Sequence, residues 1–122
     1  MKILIYISTV LILIIISNCN LLFSKSPIYR IQNYCDYTAD FKVAPAGADT
    51  IRIDGVQNNT SGDFKDIKEG NVNVIAIVQG DSELYTNNFV AKDNRKYTIT
   101  LHDGDVFGEH IIHLEIADEP NL

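Results

Sequence analysis

Positive charge is scarce in this sequence of 122 residues. It has 10 lysines and arginines against 16 aspartates and glutamates, which gives a net charge of −6 at neutral pH. Electrostatic binding to nucleic acid or to an anionic bilayer face needs an excess of basic side chains. The composition gives the chain no electrostatic reason to bind either of them, and we predict no nucleic-acid partner.

Helical periodicity is also missing after residue 23. Short runs instead alternate apolar and polar residues, with turn residues between them about every eight to twelve positions. In residues 96–102, Tyr97, Ile99 and Leu101 are expected to face the core. Residues 71–78 are apolar on both faces in their second half, which predicts a central strand. The pattern predicts an all-β fold, a small antiparallel β-sandwich of roughly seven to nine short strands after an N-terminal apolar signal helix.

Turn residues set the expected strand boundaries. Asp54-Gly55 predicts a two-residue hairpin turn, because glycine adopts positive φ at no steric cost. Residues 102–105, His-Asp-Gly-Asp, predict another turn, between a strand that ends at His102 and a last strand that begins at His110.

The first 23 residues differ in composition from the rest. Lys2 precedes an apolar run, Ile3 to Ile16, of signal-peptide length. The following Ser17-Asn18-Cys19 completes a stretch that resembles the box ending bacterial lipoprotein signals, with Asn18 where a small residue is usual. Two alternatives stay open. The leader could be cleaved without lipid, although no Ala-x-Ala site follows, or Ile3 to Phe23 could remain as an uncleaved anchor, since 21 helical residues span a bilayer.

Lipoprotein processing is the interpretation that we prefer. It makes residues 1–18 a lipoprotein signal peptide, residues 19–27 the lipidated Cys19 with a polar tether, and residues 28–122 the β-sandwich domain. Fatty chains such as palmitate stabilise membrane attachment by about 0.8 kcal/mol per buried methylene, and two or more chains hold stably. We therefore predict an exported protein that is lipid-anchored in the cell membrane or outer membrane.

The two cysteines of the chain, Cys19 and Cys35, depend on each other in this interpretation. If Cys19 carries the lipid, Cys35 is the only thiol left in a compartment that permits disulfides. We then expect Cys35 to be a buried structural thiol at the end of the first strand. A disulfide between the two stays possible only without lipidation.

Residues that could carry catalysis are poorly arranged along the sequence. Ser61 lacks the Gly-x-Ser-x-Gly elbow of hydrolases. Spacing alone cannot place Asp63 and Asp66 at the separation that glycoside hydrolysis requires. We predict no catalytic residue, and so the chain is not expected to be an enzyme.

Potential metal ligands crowd into residues 102–113. However, Asp103-Gly104-Asp105 lacks the remaining ligands of a calcium loop. His110 and His113 are expected to point to opposite faces of one strand. We therefore predict no metal site and no cofactor.

Tyrosines offer the best candidate for binding. Tyr34 and Tyr37 bracket Cys35 in a loop-like stretch, and tyrosine among polar neighbours is a favoured contact residue. We predict that Tyr34 and Tyr37 form a binding patch for an envelope protein or a polysaccharide.

The order of strands and turns carries a family resemblance over residues 28 to about 105. An alternating strand runs into an Asp-Gly pair, a serine and an aromatic residue follow, and a strand opens with Tyr-Thr. The matching residues are Ile51-Arg52-Ile53-Asp54-Gly55, then Ser61 with Phe64, then Glu69-Gly70 before Val72 and Val74, then Asn94-Arg95-Lys96-Tyr97-Thr98. This pattern resembles DUF4397, a family of exported bacterial β-sandwich domains. Tyr34-Cys35-Asp36 and Lys68-Glu69-Gly70 depart from the family's His-Ala-Ser-Pro and Pro-Ala-Gly.

The same strand order is similar to the alginate O-acetylation accessory proteins, which are periplasmic β-sandwich adaptors without catalytic residues. The two resemblances imply two functions. The first is a membrane-anchored, non-catalytic envelope lipoprotein with an interaction domain. The alternative is a periplasmic accessory protein of exopolysaccharide O-acetylation, which a neighbouring O-acyltransferase gene would favour.

Overall fold

The computed structural model describes residues 24–122, and the expected signal helix and Cys19 lie outside them. Within that range the regular structure consists of nine strands and contains no helix. The strands are β1 (Ile28–Tyr34), β2 (Ala39–Pro45), β3 (Ile51–Val56), β4 (Thr60–Ser61), β5 (Lys65–Asp66), β6 (Gly70–Val78), β7 (Leu84–Ala91), β8 (Arg95–Val106) and β9 (Glu109–Pro120). Residues 24–122 contain no helix that is long and apolar enough to span a bilayer.

The strands form two sheets. The first has the order β4-β1-β8-β9, with β5 also paired to β1, and the second has the order β3-β2-β6-β7. The predicted all-β architecture is confirmed, with one correction to its antiparallel character: β1 and β8 run parallel. A parallel pair needs a long crossover, and here the chain passes through the whole second sheet before it returns as β8.

The core lies between the sheets, where the alternating residues face each other. β6 lies between β2 and β7, which confirms its predicted central position. Its alternate residues Val72, Val74, Ala76 and Val78 are buried. From β8, Tyr97, Ile99 and Leu101 are buried as the alternation predicts. Burial of these inward faces is the main stabilising contribution, at about 25 cal/mol per Å² of apolar surface.

The hairpin turn predicted at Asp54-Gly55 is wrong. β3 runs through both residues, which lie opposite the single residue Asp40 between the pairs Ala39–Val56 and Phe41–Ile53. Gly55 has φ +67°, and its N–H donates to Asp40 Oδ1 at 2.7 Å. Glycine supplies the positive φ that the sequence indicated, but a β-bulge uses it instead of a turn.

The turn predicted at residues 102–105 is also wrong. β8 continues to Val106, and the chain reverses at Phe107-Gly108, whose φ angles are +53° and +80°. Gly104 does not have positive φ and stays in register with Ile111. β8 and β9 therefore continue beyond β1, whose last pair with β8 is Tyr34–His102.

β1 gives the sandwich two distinct ends. At its start, Lys25 is held to the β8 side, because Asn94 N–H donates to Lys25 O at 2.7 Å and Lys25 N–H donates to Asn94 Oδ1 at 2.9 Å. We call this the tether end. The other end, where Tyr34 lies beside His102, is the distal end. Seven extended residues place the two ends about 20 Å apart.

Candidate functional site

An open cleft of about 640 Å³ lies at the distal end. Three segments meet there: the β1–β2 loop, the β6–β7 turn with the start of β7, and the start of β9. They contribute side chains that include Tyr37, Asp81, Glu83, Tyr85, His110 and Ile112. The topology brings them together, because the parallel β1–β8 pair and the β6–β7 hairpin both present their ends on this side.

One wall of the cleft is fixed by Asp81. Its Oδ1 accepts the N–H of Glu83 at 3.0 Å, and its Oδ2 accepts the phenolic O–H of Tyr85 at 2.6 Å. These hydrogen bonds favour the charged carboxylate, so the pKa of Asp81 lies below its ordinary value. The same hydrogen bond raises the pKa of Tyr85 to about 12. At neutral pH the pair is therefore a carboxylate and a protonated phenol in a fixed geometry.

The adjoining part of the cleft, at the β1–β2 loop, depends on Asn33, a fully buried amide. Its Nδ2 donates to the carbonyl oxygens of Tyr37 and Val56, both at 2.8 Å, and its Oδ1 accepts the N–H of Cys35 at 3.0 Å. The β1–β2 loop is thereby closed onto β3, with Tyr37 at the cleft. Every polar atom of this buried side chain has a partner, which is the condition for burying an amide without penalty.

Cys35 is buried beside this amide, as predicted. Burial raises the pKa of its thiol, with smaller contributions of the same sign from Asp103 and Asp36. A thiol that resists ionisation is a poor nucleophile. The burial of Cys35 and the raised pKa of its thiol therefore support a role in packing.

The structure separates the two tyrosines of the predicted patch. Tyr37 is half exposed and borders the cleft. Tyr34 is also half exposed, but it follows the inward-facing Asn33 and lies on the outer face of the first sheet, paired with His102. Binding by either tyrosine stays a prediction, and only Tyr37 has cleft walls around it.

The part of the chain from residue 24 onward contains one group of potential metal ligands, Asp36, Asp103 and His110, whose donor atoms lie within 4.8 Å of one another. Asp103 Oδ2 lies 3.3 Å from His110 Nε2 and accepts the N–H of Asp36 at 3.1 Å. Carboxylates and imidazole suit zinc or manganese. Exposed groups of this kind also occur without an ion, so we assign no metal to them.

The three histidines are distributed as the strand period predicts. His113 lies on the outer face opposite His102, with ring centroids 5.5 Å apart, whereas His110 borders the cleft. His102 Nε2 lies 3.0 Å from Glu115 Oε2 on the same outer face. The crowding of ligands in residues 102–113 is thus divided between two surfaces.

Ser61 and the acidic residues near it lie away from the cleft. Ser61 Oγ accepts a hydrogen bond from Gln32 Nε2 at 3.0 Å. Asp66 pairs with Ile28 at the tether end. Sequence reasoning missed Asp81 and Tyr85, although an aspartate four residues before a tyrosine in a Gly-containing turn was available as a local signal.

No family model matches the chain, and neither a curated protein nor a solved structure matches it. The resemblances to DUF4397 and to the alginate accessory proteins therefore stay expectations drawn from strand and turn patterns. The features of the described residues that bear on function are the distal cleft and its position relative to the tether end.

Proposed function

We propose that this chain is a lipid-anchored, non-catalytic binding domain of the cell envelope that presents its distal cleft to a ligand. The observation that supports this most directly is the arrangement of the two ends. The described part of the chain begins at the tether end, where Lys25 is hydrogen-bonded to Asn94. The cleft lies at the other end of β1, about 20 Å away.

Attachment at the tether end has a geometric consequence. Ser24, Lys25 and Ser26 are exposed, and Pro27 is the first buried residue of the chain that the structure describes. A lipid on Cys19 would hold this end toward the bilayer and turn the cleft away from it. In this orientation the cleft would be open to a partner that lies away from the membrane.

The protonation states of Asp81 and Tyr85 in the cleft, and of Cys35 outside its lining, suit binding better than acid–base catalysis by these groups. A general acid or base works best with a pKa near the operating pH. Here the pKa of Asp81 is lowered, that of Tyr85 is raised to about 12, and that of Cys35 is raised. All three shifts move the pKa values further from neutral pH, so these groups keep one protonation state while a ligand binds.

The charge of the cleft bears on the accessory function in exopolysaccharide O-acetylation. Asp81 and Glu83 line the cleft beside the exposed ring of Tyr37. Carboxylates accept hydrogen bonds from hydroxyl groups and repel anionic groups. A neutral, hydroxyl-rich ligand suits this cleft, and an anionic uronate polymer does not. In that alternative, the chain would contact the acyltransferase and not the anionic polymer.

The lipid anchor is tested by metabolic labelling with palmitate in the cells that produce the protein. We expect label in the wild-type chain and in Cys35→Ala, which is the matched cysteine control. We expect no label in Cys19→Ala. Label that persists in Cys19→Ala, or that is absent from the wild type, contradicts the proposed anchor.

A further inference from the structure

The β8–β9 hairpin ends in a tip, residues 103–109, that continues past the last β1–β8 pair. Phe107 occupies the turn at the tip and is fully exposed, and the neighbouring Val106 is partly exposed. A phenylalanine that contacts solvent on all sides contributes no packing to its own fold. The ring is therefore available for contact with another molecule.

The backbone conformation at Phe107 is also unfavourable for a phenylalanine. Its φ of +53° lies in the left-handed region, which bulky side chains rarely adopt. The other non-glycine residues with positive φ between residues 24 and 122 are both asparagine, Asn59 and Asn94. Two-residue hairpin turns favour Asn-Gly for this reason, and here the turn is Phe107-Gly108. Asparagine would adopt this backbone conformation with less strain than phenylalanine.

The hairpin residues next to Phe107 in the sequence carry negative charge. Asp103, Asp105 and Glu109 are acidic, and residues 103–110 contain no lysine or arginine. His110 is the only other titratable side chain of the tip region, with Nε2 3.3 Å from Asp103 Oδ2 and Nδ1 3.6 Å from Asp105 Oδ1. These acidic side chains disfavour insertion of the tip into an anionic bilayer and its contact with a second, equally acidic copy of the chain.

We propose that the hairpin tip docks onto a protein partner by inserting Phe107 into an apolar pocket. The rim of this pocket is basic and faces Asp105 and Glu109. Single aromatic side chains that fill a pocket supply much of the binding energy of protein interfaces, and opposite charges at the rim set orientation and association rate. The tip lies at the distal end, so a chain anchored through Cys19 would present it away from its own membrane. This inference goes beyond the proposed function, because it requires neither the lipid nor a ligand in the cleft.

The first test separates docking from folding. Asparagine adopts left-handed φ more readily than phenylalanine, so we expect Phe107→Asn to fold and to melt about 3 °C higher than the wild type. Phe107→Trp retains a large ring and serves as the conservative variant. A Phe107→Asn chain that melts several degrees lower would mean that the ring stabilises the fold itself, and this would overturn the inference.

The second test finds the partner in the cells that produce the chain. A photo-reactive benzoylphenylalanine replaces Phe107 in the full-length chain, and a matched chain carries it at Val90, a half-exposed apolar residue near the tether end. We expect a discrete cross-linked protein from position 107 and not from position 90. The captured protein is then purified, and its Kd for the full chain is measured. We expect Phe107→Asn to raise this Kd at least tenfold, Phe107→Trp to leave it within about threefold, and added salt to raise it.

Four results would overturn the inference: no cross-link from position 107, a cross-link to lipid, a cross-link to a second copy of the chain, or a captured protein whose Kd is unchanged by Phe107→Asn. The palmitate experiment on Cys19 reports on the anchor alone. The Kd of the purified complex reports on the tip alone. Failure of either proposal is therefore distinguishable from failure of the other.

Discussion

Tyr85 donates its phenolic O–H to Asp81 Oδ2 at 2.6 Å, and this bond closes the β6–β7 turn at the edge of the cleft. The second carboxylate oxygen of Asp81 accepts the N–H of Glu83. These hydrogen bonds restrict the side chains of Asp81 and Tyr85 in the absence of a ligand. A preformed wall of this kind lowers the conformational-entropy cost of ligand binding.

Removing this bond should move the pKa of Asp81 in a known direction. In Tyr85→Phe the largest cause of the lowered pKa is gone, so we expect the pKa of Asp81 to rise toward its ordinary value. Carboxyl NMR against pH measures it, and Tyr37→Phe is the control at the same cleft. An unchanged pKa of Asp81 in Tyr85→Phe would show that the phenol does not control it.

The same shift sets a pH dependence of stability. The pKa of Asp81 is lower in the folded chain than in the unfolded one, where it is about 3.9. The stabilisation is therefore present above about pH 4 and is lost as the pH falls through the folded value. We expect this acid-dependent loss to be smaller in Tyr85→Phe than in the wild type, as measured by melting temperature between pH 5 and about 2. Identical acid profiles would contradict the linkage.

Asn33 is the buried polar residue on which the β1–β2 loop depends. In Asn33→Ala the carbonyl oxygens of Tyr37 and Val56 lose their donor, and the Cys35 N–H loses its acceptor. Leaving a fully buried polar group without a partner costs about 1–3 kcal/mol, and the bonds to the two carbonyl oxygens are only partly buried, so we expect the free energy of unfolding to fall by about 2–4 kcal/mol. Urea denaturation measures this. Asn88→Ala, at an exposed position on β7, is the matched control and should change stability by less than about 0.5 kcal/mol.

Two glycines that look alike in sequence should respond in opposite ways to alanine. Gly55→Ala places a Cβ at φ +67° in the bulge opposite Asp40, and we expect a loss of about 1 kcal/mol. Gly104 does not have positive φ, and a Cβ there meets no atom within 4 Å, so Gly104→Ala should be neutral or stabilise by up to about 1 kcal/mol. Equal losses from both substitutions would contradict the assignment of Gly55 to the bulge and Gly104 to the strand.

The glycines also show where sequence reasoning reaches its limit. Positive φ is a local requirement, and Gly55 satisfies it, but a turn and a bulge share that requirement. What decides between them is Asp40 on the neighbouring strand, which the local sequence does not contain. The alternation of Tyr97, Ile99 and Leu101 was predictable because a period of two is itself local.

The distal site was less predictable than the core, for the same physical reason. Tyr37 could be recognised from residue type alone. Its surroundings depend on the parallel pairing of β1 with β8, through which Asp36 N–H reaches Asp103 Oδ2, 67 residues away. Such a pairing leaves no periodic signal in the sequence, so the grouping of Asp36, Asp103 and His110 emerges only from the fold.

Cys35 should be protected from thiol reagents as long as the chain is folded. It is buried, and burial raises the pKa of the thiol, so both access and thiolate formation are suppressed. In the Cys19→Ala chain, where Cys35 is the remaining thiol, we expect the reaction with a chromogenic disulfide at pH 8 to be at least roughly tenfold slower in the folded than in the urea-unfolded state. Equal rates would contradict its burial.

Zinc and calcium should leave the stability of the chain unchanged. The three donor groups of Asp36, Asp103 and His110 would have to give up existing contacts, because Asp103 Oδ2 already accepts the Asp36 N–H and lies 3.3 Å from His110 Nε2. Asp36 and His110 are exposed, so a metal would bind against full competition from water. We therefore expect stoichiometric metal to leave the melting temperature of the wild type unchanged. Asp103→Asn can differ from the wild type in melting temperature without metal, but metal should not change its melting temperature either. A rise with zinc in the wild type that Asp103→Asn abolishes would establish a metal site in this group.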